Sequence, residues 1–182
     1  LNSYWLMIHV AIITASYGFL VLGAILGLIS LWLIIFTNSD NKIKLNNTLT
    51  ELTIINEKTI EVGLFMLTVG TFLGGVWANE SWGRYWGWDP KETWALVSIL
   101  IYVFILHMRF IPTLRSKLIF NTVSMFAIWT IIMTYFGVNY YLSGLHSYAA
   151  GDPMPIPTFV YYLFALMLLS AILGKIKFKK YY

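Results

Sequence analysis

The chain has 182 residues, of which 59% are hydrophobic and 11% charged, a balance that excludes an ordinary soluble domain and fits one membrane domain. It contains no cysteine, which excludes disulfides, thiolate metal sites and a cysteine nucleophile, so a metal bound here takes its ligands from histidine, carboxylate, methionine or tyrosine. The formal charge of +4 comes without a nucleic-acid motif, and its distribution along the chain reads as a topology signal.

Five apolar runs predict an all-α, polytopic helix bundle forming a single membrane domain over residues 1–182. The first run, 10–36, is free of charge, and its 27 residues at roughly 1.5 Å each reach ~40 Å, enough for a ~30 Å hydrocarbon core. Gly23 and Gly27 within it read as a helix-packing face. A polar linker, 37–60, follows, in which Leu45, Leu49, Leu52 and Ile55 recur at helical spacing and suggest a short helix on the membrane surface. The second span, 62–78, carries a further small-residue pair, Gly70 and Gly74, again read as a packing face.

That span delivers the chain into residues 77–92, where Trp77, Trp82, Trp86 and Trp88 crowd with Tyr85 into twelve residues. Counting Trp94, five tryptophans in eighteen residues exceed an interfacial anchoring belt. Gly83 and Gly87 allow close approach of something flat, and Arg84 is a fixed cation beside them. A planar, mostly apolar ligand with anionic groups suits such a surface.

The third span, 90–109, has a legible start: Asp89 as cap, Pro90 in the first position and Glu92 where a capping-box acid belongs. A capping role and a ligand contact both account for Asp89. A short loop with Pro112, Arg115 and Lys117 leads to the fourth span, 118–142. Residues 143–157 form a loop holding His146 and broken by Gly144, Gly151, Pro153, Pro155 and Pro157, before the last span, 158–174, and a tail of four lysines.

Ten of the twelve Lys and Arg fall on the linker, the loop after the third span and the tail, and only Arg84 and Lys91 on the opposite side. Excess cations mark the cytoplasmic face, so the amino terminus is expected outside and the carboxyl terminus inside. His9, the tryptophan stretch and His146 then share the outer surface. Two imidazoles, one on each side in sequence of an aromatic cluster, are what a bis-histidine haem needs. His107 lies eighteen residues beyond Asp89, ~27 Å inward along a helix.

The run Trp82-Gly83-Arg84-Tyr85-Trp86-Gly87-Trp88-Asp89 resembles the tryptophan-rich "WWD" stretch of the haem-handling proteins of cytochrome c biogenesis. Val76-Trp77-Ala78-Asn79-Glu80 before it and Asp89-Pro90-Lys91-Glu92-Thr93-Trp94-Ala95-Leu96 after it resemble the CcsA/ResC branch, including fused CcsBA synthases of System II, of which this chain looks like the carboxyl-terminal core. Ser3-Tyr4-Trp5-Leu6-Met7-Ile8-His9-Val10 and the segment from Gly137 to Tyr148 are similar to the two that supply the external axial histidines of that branch. The resemblance implies His9 and His146 as ligands of an external haem iron, and Trp77, Trp82, Arg84, Trp86, Trp88 and Asp89 as its surroundings, with Arg84 a candidate partner for a propionate. Residues Leu100 to Arg109 look like the family segment carrying one of two intramembrane haem histidines, which makes His107 a further haem ligand whose partner imidazole comes from a CcsB part.

The implied function is movement of haem, a b-type non-covalent substrate or cofactor, to the outer face of the membrane, its presentation on a flat tryptophan platform of the WWD stretch between the two axial histidines, and its thioether attachment to a Cys-x-x-Cys-His segment of apocytochrome c. The implied enzyme is a cytochrome c haem lyase component that works with a CcsB-type subunit or fused portion, in contact with lipid and with no nucleic acid. The expected location is the bacterial cytoplasmic membrane, ahead of the thylakoid membrane, and the missing initiator methionine and leader pattern suggest a piece of a longer polypeptide. Alternatives left open are a CcmC-like haem exporter without lyase activity, a b-type electron-transfer subunit, and a transporter with an aromatic gate.

Overall fold

The computed structural model describes residues 3–146 and 155–181, so the 147–154 part of the loop after His146, including the family-like Ser147-Tyr148 and Ala149 to Pro153, lies outside the described residues. All regular structure among the described residues is helical: α1 (Tyr4–Ile35), α2 (Lys42–Trp82), α3 (Pro90–His107), a 3-10 turn (Met108–Phe110), α4 (Lys117–Ile132), a π-helical turn (Met133–Gly137), α5 (Val138–Tyr141) and α6 (Thr158–Tyr181). Five helical stretches are long and apolar enough to cross a membrane.

The linker between the first two apolar runs does not make a separate surface helix. It is the first half of α2, whose 41 residues rise ~62 Å at roughly 1.5 Å each. The reason is local: no proline or glycine stands between Lys42 and Val62, and Thr48, Thr50, Thr53 and Thr59 return their hydroxyls to the carbonyl four residues back. Gly83, at φ 71, ends α2 in the left-handed conformation that glycine adopts without strain.

Small residues let the helices meet. Gly23 sits against Ile60 and Asn56 of α2, and Gly27 against the Asn121 backbone and Ser124 of α4. A methyl on Gly27 would lie 2.6 Å from the Asn121 carbonyl oxygen, which cannot move away cheaply. Beside it, Asn56 Nδ2 donates to Asn121 Oδ1 (3.1 Å) and Ser124 Oγ (3.0 Å), joining α2 to α4 in the interior. Leu20, Leu31, Ile60, Leu67, Tyr102, Ile105 and Met125 fill the core around these contacts.

The up-and-down order gives the bundle two unlike ends. One carries the start of α1, the end of α2, the start of α3 and the loop holding His146, tied by Ser3 to Glu80, Lys91 to Asn139 and Leu145 to Asp89. The other carries the cationic segments, tied by Arg109 to Glu57 and Lys117 to Thr50.

Candidate functional site

His9 comes from the second turn of α1, and Gly70 and Gly74 of α2 form its seat. The Gly70 carbonyl lies 2.7 Å from His9 Nδ1. A carbonyl can only accept, so Nδ1 carries the proton and Nε2 keeps a lone pair. A Cβ on Gly74 would stand 2.6 Å from His9 Cε1, so the ring occupies the space that glycine leaves. The Gly70 and Gly74 pair is thus a packing face, as its spacing predicts, and what it packs against at this end is an imidazole.

His146 is held by Asp89. The Asp89 carboxylate caps α3 by accepting from Lys91 N (2.9 Å), accepts from Leu145 N (2.6 Å), and lies 3.0 Å from His146 Nδ1. The capping role expected from sequence is thus met, and the same carboxylate also holds His146. The carboxylate is only 6% exposed. Burial alone would raise its pKa, but the Lys91 N–H, the His146 ring and the Leu145 N–H outweigh that and hold it below the ordinary aspartate value. Gly144 passes close over this carboxylate, since a Cβ there would meet Asp89 Oδ2 at 2.3 Å and Pro90 Cδ at 2.8 Å.

His9 and His146, 137 positions apart, line one cavity of about 200 Å³ together with Trp77, Trp86, Tyr17 and Lys91. Each ring spends Nδ1 on an oxygen acceptor, and such a second contact fixes the orientation and basicity of a metal-binding imidazole. The donor set therefore fits an iron porphyrin: two oriented imidazoles in an aromatic cleft. Trp77, 6% exposed, adds an indole N–H with no hydrogen-bond partner among the described residues. The volume is below the roughly 300–1,000 Å³ of pockets that enclose a ligand, so a macrocycle seated here keeps an edge outside.

The tryptophans do not form one flat platform. Trp77 and Trp82 meet at 68° with ring centroids 4.8 Å apart, and Trp82 packs edge-on against His146 at 4.9 Å. Trp86 and Trp88 meet at 87°. Trp88 is 68% exposed and holds a left-handed φ of 57, uncommon for an aromatic residue. Glu92 clamps the loop on both sides of it, accepting from Gly87 N (2.7 Å) and Asp89 N (3.3 Å). Arg84 lies over Gly87 and is not among the cavity-lining residues.

His107 is brought to neither imidazole. It sits at the cationic end of α3, exposed, with Nδ1 2.7 Å from the Val103 carbonyl. Sequence reasoning missed Gly74, Tyr17, Tyr135 and Lys91 as cavity residues. For Lys91 a signal existed, because it is one of only two cations at the tryptophan end.

Residues 1–146 match the family described as "Cytochrome C assembly protein". Protein NrfI of Wolinella succinogenes is 53% identical over 156 residues, covering 85% of this chain and 17% of that protein. Cytochrome c biogenesis protein CcsA of Chlamydomonas reinhardtii is 39% identical over 151 residues, 81% of this chain and 41% of that protein. CcsA of Synechococcus sp. (strain CC9605) is 35% identical over 176 residues, 81% of this chain and 56% of that protein. The chain thus spans about half the length of the two CcsA proteins and under a fifth of NrfI. With the family matched across all three histidines and the tryptophan stretch, this chain belongs to the cytochrome c assembly family, in the company of CcsA and NrfI.

Proposed function

We propose that this chain receives haem as its substrate, holds it at the outer face of the membrane between His9 and His146, and supports its attachment to the thiols of a Cys-x-x-Cys-His segment of apocytochrome c. The observation that carries the reading is the shared cavity of two imidazoles, each with Nδ1 committed to an oxygen and Nε2 left for iron. Haem supplies the vinyl groups to which substrate thiols add, so no cysteine of this chain is required. The residues supply orientation. His9 and His146 fix the iron, Trp77 and Trp86 line the cleft, and the clamped, exposed Trp88, packed against Trp86, is available to an incoming peptide.

The ten-cation end is the cytoplasmic end in this reading, which turns the cavity outward. His107 belongs to an earlier stage. Its Nδ1 is committed to the Val103 carbonyl, and it shares an exposed α3 face with Leu100, Val103 and Phe104, suited to a neighbouring helix that brings a second imidazole from a CcsB-type partner.

The test is expression of the full-length protein with a Cys-x-x-Cys-His reporter in a host lacking its own cytochrome c assembly. Covalent haem on the reporter is expected, together with its loss in His9→Ala and His146→Ala variants. Haem on the protein with none on the reporter would replace attachment by export, the CcmC-like reading.

A further inference from the structure

We infer that Lys91 is the anion-binding residue of the cavity shared by His9 and His146, and that it takes a carboxylate arm of the macrocycle seated there. The inference rests on the reading of that cavity as a haem site and adds which residue recognises the acidic edge. Lys91 is half-buried on the first turn of α3 and lines the cavity. Its Nζ donates to Asn139 Oδ1 at 2.9 Å and stands 5.9 Å from the centre of the Tyr135 ring. An ammonium has three N–H donors, and one is committed here.

No carboxylate pairs with it among the described residues. The ion pairs there are Lys58 with Glu61, Arg109 with Glu57, and His146 with Asp89. The acids nearest in sequence are already committed: Asp89 to Lys91's own backbone N–H, to Leu145 and to His146, and Glu92 to the Gly87 and Asp89 N–H groups. The Asp89 carboxylate acts on the Lys91 charge through space but makes no ion pair with it, so a half-buried cation in an apolar, aromatic cleft is left without a direct anionic partner, which is unfavourable. An entering carboxylate supplies that partner, and the contact is charge-assisted. Arg84, the other cation at this end, lies against Gly87 and is not among the cavity-lining residues, whereas Lys91 is one of them.

Asn139 holds Lys91 in place, and the π-helical turn just before it sets where Asn139 points.

The experiment is an absorption titration of the detergent-purified full-length protein, stripped of haem, with haem and with its dimethyl ester, in wild-type, Lys91→Met and Lys91→Arg forms. Wild type is expected to bind haem about tenfold more tightly than the ester, as one charge-assisted contact gives. Lys91→Met removes that preference by weakening haem and not the ester, and Lys91→Arg keeps it. Equal affinity of wild type for haem and ester, or equal weakening of both by Lys91→Met, overturns the role of Lys91 and leaves the haem reading standing. Binding of neither compound by wild type overturns the haem reading and Lys91 with it. If Lys91→Met does not fold, Lys91→Gln, which keeps an N–H donor for Asn139 without the charge, is measured in its place with the same two readings.

Discussion

At the scale of single residues, the site depends on one missing methyl group. A Cβ on Gly74 would stand 2.6 Å from His9 Cε1 and 2.8 Å from Nδ1, and His9 is already bound to the Gly70 carbonyl on the preceding turn of α2. Gly74→Ala is therefore expected to displace the ring and weaken haem binding about tenfold or more, the usual scale when the support of a ligand is lost, while helix content stays unchanged. Haem per protein and circular dichroism measured together check this, and full haem retention would contradict it. The sequence shows a small-residue pair here but not what lies across from it, because a packing glycine looks the same opposite a leucine or an imidazole. Asp89 illustrates the same divide. Its capping box is local and readable from Asp89-Pro90-Lys91-Glu92, whereas its hold on Leu145 and His146 reaches across 56 and 57 positions and exists only in the fold.

At the scale of elements, the fourth apolar stretch is not one regular helix. The π-helical turn at Met133–Gly137 inserts extra backbone between α4 and α5, and Thr134 anchors it to Trp94 O (3.2 Å) and Ser98 Oγ (3.1 Å) of α3. Such turns gather at functional sites. An alanine inserted after Val138, beyond the turn and inside α5, would rotate everything after it by roughly 100°. That insertion is thus expected to carry Asn139 and His146 out of register with Lys91 and Asp89, abolishing haem binding while membrane insertion survives. Haem content in membranes with normal protein level is the measurement, and normal haem would contradict it. No apolar periodicity announces a π turn, since Leu118 to Leu142 reads as continuous either way. The long α2 is hidden for a related reason: its first half is polar, and polarity suggests a break although no breaker residue is present.

At the scale of the whole molecule, the number and order of helices were legible because apolar runs alternate with polar, proline-bearing or glycine-bearing connections. The proposed orientation rests on the ten cations at one end against two at the other, an asymmetry in number that favours that end on the cytoplasmic side. Single cysteines test it directly in a segment that has none of its own. Ser81→Cys, at the tryptophan end, is expected to react with a membrane-impermeant maleimide on intact cells. Ser116→Cys, at the cationic end, is expected to react only after permeabilisation. The reverse pattern would turn the cavity toward the cytoplasm and end the proposal that it meets an exported apocytochrome.

The central claim is that His9 and His146 ligate one haem iron, and an absorption spectrum tests it most directly. The detergent-purified, dithionite-reduced full-length protein is compared with its His9→Gly and His146→Gly variants, each with and without added imidazole. The account predicts a low-spin reduced haem spectrum that is lost in either variant and restored by imidazole, because each glycine leaves a cavity of the right shape beside a retained partner ligand. A haem spectrum unchanged by both substitutions would contradict it and move the iron to His107 or to another chain.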